Sequence, residues 1–194
     1  MSEEKVKLPR SSYDELCKII QAYGRLEEPS TLKKVSELSG VGASQVSANN
    51  KFLISIGLID KGLKKSATDL GNKLAKPLEF DFNDDIKTIW ELIVNKNEFL
   101  SKMVLAIKIR RKTEVETFVS HIAYSAGESN EEFVKVGARA VVDILKASGL
   151  IIEQDGNLLA TEDRSKIDVV NEAKESINCT SSESFGHIRH FAKL

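Results

Sequence analysis

The sequence is short of the residues that mark several protein classes. It holds 2 cysteines in 194 residues, Cys17 and Cys179, without the spacing of a metal knuckle or a redox pair. With 3 prolines and 11 glycines, it lacks the punctuation of a collagen or a turn-dense all-β fold. No apolar run nears the ~18 residues that a membrane span needs. The first ten residues, MSEEKVKLPR, carry no apolar stretch of the signal-peptide kind. A cytoplasmic, reducing setting with no membrane partner is therefore expected. The patterns of catalysis are missing too. There is no phosphate loop with Lys-Ser/Thr, no Gly-x-Gly-x-x-Gly, no His-Glu-x-x-His and no Gly-x-Ser-x-Gly. Cys179, His187 and His190 have no fourth ligand at zinc spacing. No enzyme activity, catalytic residue, metal or cofactor is expected.

What is present suits a packed globular chain: 41% hydrophobic and 29% charged residues. The net charge of −1 conceals a gradient. Residues 1–76 carry 13 Lys/Arg against 9 Asp/Glu, residues 77–112 carry 7 against 6, and residues 113–194 carry 8 against 14. A basic front and an acidic back point to different partners for the two ends.

Apolar spacing predicts a helix from Tyr13, capped by Ser11 or Ser12, with Glu15 completing a capping box and Leu16, Ile19, Ile20 and Tyr23 facing inward. Ser30 or Thr31 caps a short second helix with Leu32, Val35 and Leu38 inward. Gly40-Val41-Gly42 then turns the chain into a third helix to about Ile56, with Val46, Leu53 and Ile56 inward and Asn49 and Asn50 at the margin. A hairpin with a Lys61–Lys65 tip and a helix capped by Thr68 complete the unit.

Gly57-Leu58-Ile59, the basic loop, and Ala67-Thr68-Asp69-Leu70-Gly71-Asn72-Lys73-Leu74-Ala75 give residues 11–76 a form that resembles a winged helix-turn-helix domain. Small prokaryotic regulators, archaeal ones included, share this look. Leu145–Ile152 matches Leu53–Asp60 at an offset of 92 residues, and Asp155-Gly156 supplies a two-residue hairpin turn. Helices capped by Asn97, by Thr113 and by Ser129 or Asn130 complete the same order again, a degenerate tandem repeat.

The expected fold is mainly α: two winged helix-turn-helix units, each of three helices plus a β-hairpin wing, joined by a linker helix. Residues 1–79 form the basic first domain, 80–96 the linker, 97–164 the acidic second domain, and 165–194 a C-terminal helix and mobile tail. Phe80, Phe82, Ile86, Ile89, Trp90, Ile93 and Val94 make an apolar stripe. Ile86, Ile89, Trp90 and Ile93 are its interface residues, either gluing the repeats together or pairing with a second copy.

For function, the resemblance implies sequence-specific double-stranded DNA binding and transcriptional regulation. In such a domain the second helix of the pair enters the major groove. Ser44, Gln45, Ser47, Asn49 and Lys51 would lie there, Gln and Asn gripping adenine, while Lys33, Lys34, Lys61, Lys64 and Lys65 meet phosphates. The bland reading of this face is a solvated helix surface. The second repeat offers Glu131, Glu132, Lys135, Arg139, Asp143 and Lys146 on its third helix and Glu153 and Asp155 on its wing. Those acids repel a phosphate backbone, so protein docking or self-association through the second domain or the linker helix is expected. Lys108, Arg110, Arg111 and Lys112 either extend the DNA footprint or complement a helix C-terminus. The rival to the whole reading is a tandem winged-helix protein–protein adaptor without DNA binding.

Overall fold

Ser12 opens the first helix as its sequence demands: extended backbone, with the hydroxyl accepting a hydrogen bond from the Glu15 N–H. The computed structural model describes residues 6–161. The expected helix and tail over 165–194, with Cys179, His187 and His190, lie outside the described residues. Helix α1 (Tyr13–Gly24) buries Leu16, Ile19, Ile20 and Tyr23, the face that the spacing marks. It is followed by α2 (Leu32–Ser39), α3 (Ala43–Ser55), α4 (Asp69–Phe80), α5 (Asn83–Lys96) and α6 (Glu98–Arg110). Strand β1 (Thr113–Glu114), helices α7 (Val115–Ser125) and α8 (Glu132–Ala147), and strands β2 (Ile151–Gln154) and β3 (Asn157–Ala160) complete the order. The protein is mainly helical, with one small antiparallel sheet ordered β1-β3-β2.

One order of elements occurs twice. In the back half, α6, β1, α7 and α8 precede the β2–β3 hairpin, and Thr113 pairs with Leu158 while Ile151 pairs with Ala160. In the front half, α1, α2 and α3 precede a hairpin reduced to isolated bridges, Ser30 with Lys65 and Ile59 with Ala67. Asp155 and Gly156 both take positive φ, 51° and 72°, the conformation a two-residue hairpin turn requires.

The Gly57…Thr68…Gly71 motif has a physical explanation. The Thr68 hydroxyl accepts from the Gly71 N–H at 3.0 Å and donates to the Gly57 carbonyl at 2.7 Å. Its own N–H donates to the Leu58 carbonyl at 3.0 Å. A β-carbon on Gly71 would stand 2.1 Å from that same carbonyl oxygen. The motif ties the end of α3 to the start of α4, and nothing larger than glycine fits.

Buried side chains of both halves and of α5 belong to one hydrophobic cluster. Helix α5 packs on α4, α6 and α8, burying Ile86, Trp90, Ile93 and Val94, with Ile89 partly covered. The Trp90 indole N–H donates to the Tyr13 hydroxyl at 3.1 Å. Ile86, Trp90 and Ile93 are thus covered within one chain. Cys17 is equally enclosed: burial pushes its thiol up to about 12, so it stays protonated.

Several expectations need correction. Leu32 and Leu38 are exposed, since only Val35 of α2 reaches the core. Asn49 and Asn50 are buried rather than marginal; Asn50 accepts from the Tyr23 hydroxyl at 2.9 Å. Phe80 and Phe82 leave the apolar stripe and stack on each other at the surface, 5.8 Å between ring centroids. Thr113 is a strand residue, not a helix cap, because its backbone pairs with β3. The α8 cap is Glu131 instead of Ser129 or Asn130.

Removing the Trp90 side chain should leave a large cavity between α1 and α5. Trp90→Ala is expected to cost about 3–5 kcal/mol of stability, with the molecular mass equal to the wild type's. Denaturant unfolding alongside light scattering checks both. An unchanged midpoint, or a changed mass, contradicts the assignment.

Candidate nucleic-acid interface

Gly40 closes α2 in the left-handed conformation at φ 68°, and Gly42 caps α3. This turn leaves Ser44, Ser47, Ala48 and Lys51 exposed along one side of α3, at the spacing of a single helix face. Gln45 and Asn49 face another way. The Arg10 N–H donates to Asn49 Oδ1 at 2.9 Å, and the Gln45 carboxamide donates to the Arg10 carbonyl. Asn49 Nδ2 closes the set on the Gln45 carbonyl at 2.9 Å. The donor–acceptor pairs that the sequence assigns to adenine therefore hold a peptide backbone. Asn49, fully buried, leaves the set of surface residues, and Gln45 is half-buried.

The segment they hold is a strap of residues 7–10, which no motif in the sequence marks. Leu8 and Pro9 are buried. A β-carbon on Gly137 of α8 would stand 1.8 Å from the Pro9 carbonyl oxygen. Arg10 pairs with Glu128 at 2.9 Å, its guanidinium lying 5.3 Å from the centre of the Phe133 ring, and Lys7 approaches Glu128 at 3.6 Å. The strap joins α3 to α8 and the α7–α8 loop. Its only signals in the sequence are a Leu-Pro-Arg stretch before the first helix and an unexplained glycine inside α8, each too weak alone.

Around this face, the cations are largely unopposed. Lys33 stands 4.0 Å from Glu37. Among the described residues, no carboxylate lies within 4.0 Å of Lys34, Lys51, Lys61, Lys64 or Lys65. Lys65 donates to the Gly62 carbonyl at 2.5 Å, and Leu63 at the hairpin tip is fully exposed among these lysines.

The cations of α8 behave oppositely. Arg139 pairs with Glu116 at 3.0 Å and Glu132 at 2.8 Å, and Lys135 reaches Glu132 at 3.8 Å. Lys146 sits 3.0 Å from both Asp143 and Glu153. The hydrogen bonds that Arg139 donates to Glu116 and Glu132 push its own value further up, and the same bond holds Glu132 below the usual carboxylate range. Burial alone would lower Lys146, but its bonds to Asp143 and Glu153 prevail and raise it. Helix α8 is also enclosed, with Val134, Gly137, Ala138, Ala140, Val141, Val142, Ile144 and Leu145 buried.

Lys108, Arg110, Arg111 and Lys112 are exposed where α6 ends. His121, half-buried beside Phe118, is held below its ordinary value by burial and by Arg110, whose guanidinium approaches its ring at 3.5 Å. Among the described residues, no helix is long and apolar enough to cross a membrane. No family model matches the chain, and neither a curated protein nor a solved structure does.

Asn49→Ala should act on stability first. It strips the part-buried Arg10 N–H of its acceptor, an expected cost of about 1–3 kcal/mol. Urea unfolding measures the cost, and faster exchange of the Arg10 amide proton locates it. Wild-type stability with unaltered exchange would show that the carboxamide does not hold the strap.

Proposed function

We propose that the protein binds double-stranded DNA through its first repeat, as a transcriptional regulator built of two winged helices joined by α5. The twofold occurrence of helix, strand residue, helix, helix and hairpin supports the winged-helix reading. The observation that carries the DNA reading is the contrast in pairing. Among the described residues, the α3 and hairpin lysines have no carboxylate within 4.0 Å, whereas Lys135, Arg139 and Lys146 of α8 are all ion-paired. A phosphate backbone can displace water from the first set; it would have to break ion pairs at the second.

In this reading α3 lies toward the major groove, with Ser44, Ser47 and Lys51 on its exposed side. Lys33, Lys34, Lys61, Lys64 and Lys65 meet phosphates. With Gln45 and Asn49 engaged by the strap, base selectivity from α3 is narrow, and the electrostatic part of the affinity dominates. A second reading, protein docking, rests on a different observation. Leu105 and Ile109, one turn apart on α6, are 53% and 74% exposed.

A salt series on one labelled duplex separates the two. Changing Lys61, Lys64 and Lys65 together to Gln should lower the slope of log affinity against log salt by ~0.9 for every phosphate no longer neutralised. Changing Arg139 and Lys146 to Gln should leave the slope nearly untouched. Fluorescence anisotropy supplies the readout. A larger drop in the Arg139/Lys146 variant would reverse the roles of the repeats. Duplex binding that is absent, or insensitive to salt, would leave docking as the function.

A further inference from the structure

Between the strap and α3 lies a shallow open depression of about 350 Å³, lined by Lys7, Leu8, Arg10, Ser47, Ala48 and Lys51. Its lining holds three cations and a hydroxyl donor, and no carboxylate. Glu128, outside the lining, reaches Arg10 and Lys7 but not Lys51, so positive charge is in excess. Arg10 Nη1 is buried with no hydrogen-bond partner among the described residues. Ala48, with only a methyl group, lets a bulky anion come close to the helix.

We propose that this depression binds a phosphoryl group, with the Lys7 and Lys51 ammonium groups and the Ser47 hydroxyl as its donors. The donor set fits the ligand: ammonium groups and a hydroxyl give hydrogen bonds to an anion whose oxygens only accept. The frame is fixed beforehand. Gln45 and Asn49 hold the Arg10 backbone, and Gly137 seats Pro9, so Lys7 projects from an anchored strap. The inference rests on the DNA reading only for the source of the phosphoryl group. A backbone phosphate of a duplex lying along α3 would supply it; a free phosphate monoester has the same chemistry.

The test compares the full chain with its K7Q/K51Q variant, which leaves Arg10, Gln45 and Asn49 in place. In the first arm, inorganic phosphate is titrated at constant ionic strength and backbone amide shifts are followed by NMR. Saturable shifts at Ser47, Ala48 and Lys51 are expected in the wild type and should vanish in the variant. In the second arm, duplex affinity is measured across a salt series. The variant's slope should be lower by ~0.9 for every phosphate that Lys7 and Lys51 would have neutralised. Phosphate shifts together with the lowered slope identify a backbone phosphate as the ligand. Phosphate shifts in a protein that binds no duplex uphold the site, assign it to a free phosphate monoester and overturn the DNA reading. Equal slopes in both proteins, with no phosphate shifts, overturn the site and leave the DNA reading standing.

Discussion

The Pro9 carbonyl lies where residue 137 would carry its first side-chain atom, and this close approach sets how the chain's two halves meet. Only glycine admits it, since a β-carbon there would be 1.8 Å from the oxygen. Glycine inside a helix costs roughly 0.5–1 kcal/mol against alanine, which the burial of Leu8 offsets at about 1.5–3 kcal/mol. Once Pro9 rests on α8, Arg10 is placed between the carboxamides of α3 and the carboxylate of Glu128. The strap thus joins α3 to α8, while α5 ties α4 to α8. Buried side chains of both halves share one hydrophobic cluster.

Features set by neighbouring residues were legible in the sequence. The caps at Ser12, Thr68 and Asn97 and the Asp155-Gly156 turn all depend on a few adjacent positions. Features set across the chain were not. Asn49 meets a partner 39 residues away and Asn50 one 27 residues away, and no periodicity reveals that a polar side chain has such a partner. Thr113 looked like a cap because threonine serves both roles, and its pairing with Leu158 decided between them. For Leu32 and Leu38, spacing promised burial. A helix as short as α2 brings only Val35 to the core and leaves its flanking leucines in water.

The two third helices diverge for a reason of position. Helix α8 packs against α1, α5, α6 and α7 and takes the strap on Gly137, so it is nearly encircled. Its small residues, Gly137, Ala138 and Ala140, suit close approach from several sides. What remains outside is Phe133 and a narrow strip of charges, where opposite signs spaced three to seven residues apart neutralise one another. Helix α3 lies at the periphery, and its outward face carries Ser44, Ser47, Ala48 and Lys51 without an acid among them. Burial, not the charge count of each half, separates the helix that can present a surface from the one that cannot.

That separation bears on what the carboxamides can do. A glutamine or asparagine side chain has one acceptor oxygen and one donor nitrogen, and a base edge and a peptide unit ask for the same pair. Arg10 supplies both halves of a peptide, an N–H to Asn49 and a carbonyl to Gln45. For either residue to read a base, the strap bonds must first break, leaving the part-buried Arg10 N–H without its acceptor at a cost of up to about 1–3 kcal/mol. A bidentate base contact contributes about 1–3 kcal/mol of discrimination. The two quantities are equal in size, so exchanging one for the other gains nothing. A protein that meets DNA on this face does better to keep the strap closed and use the lysines of α3 and the hairpin.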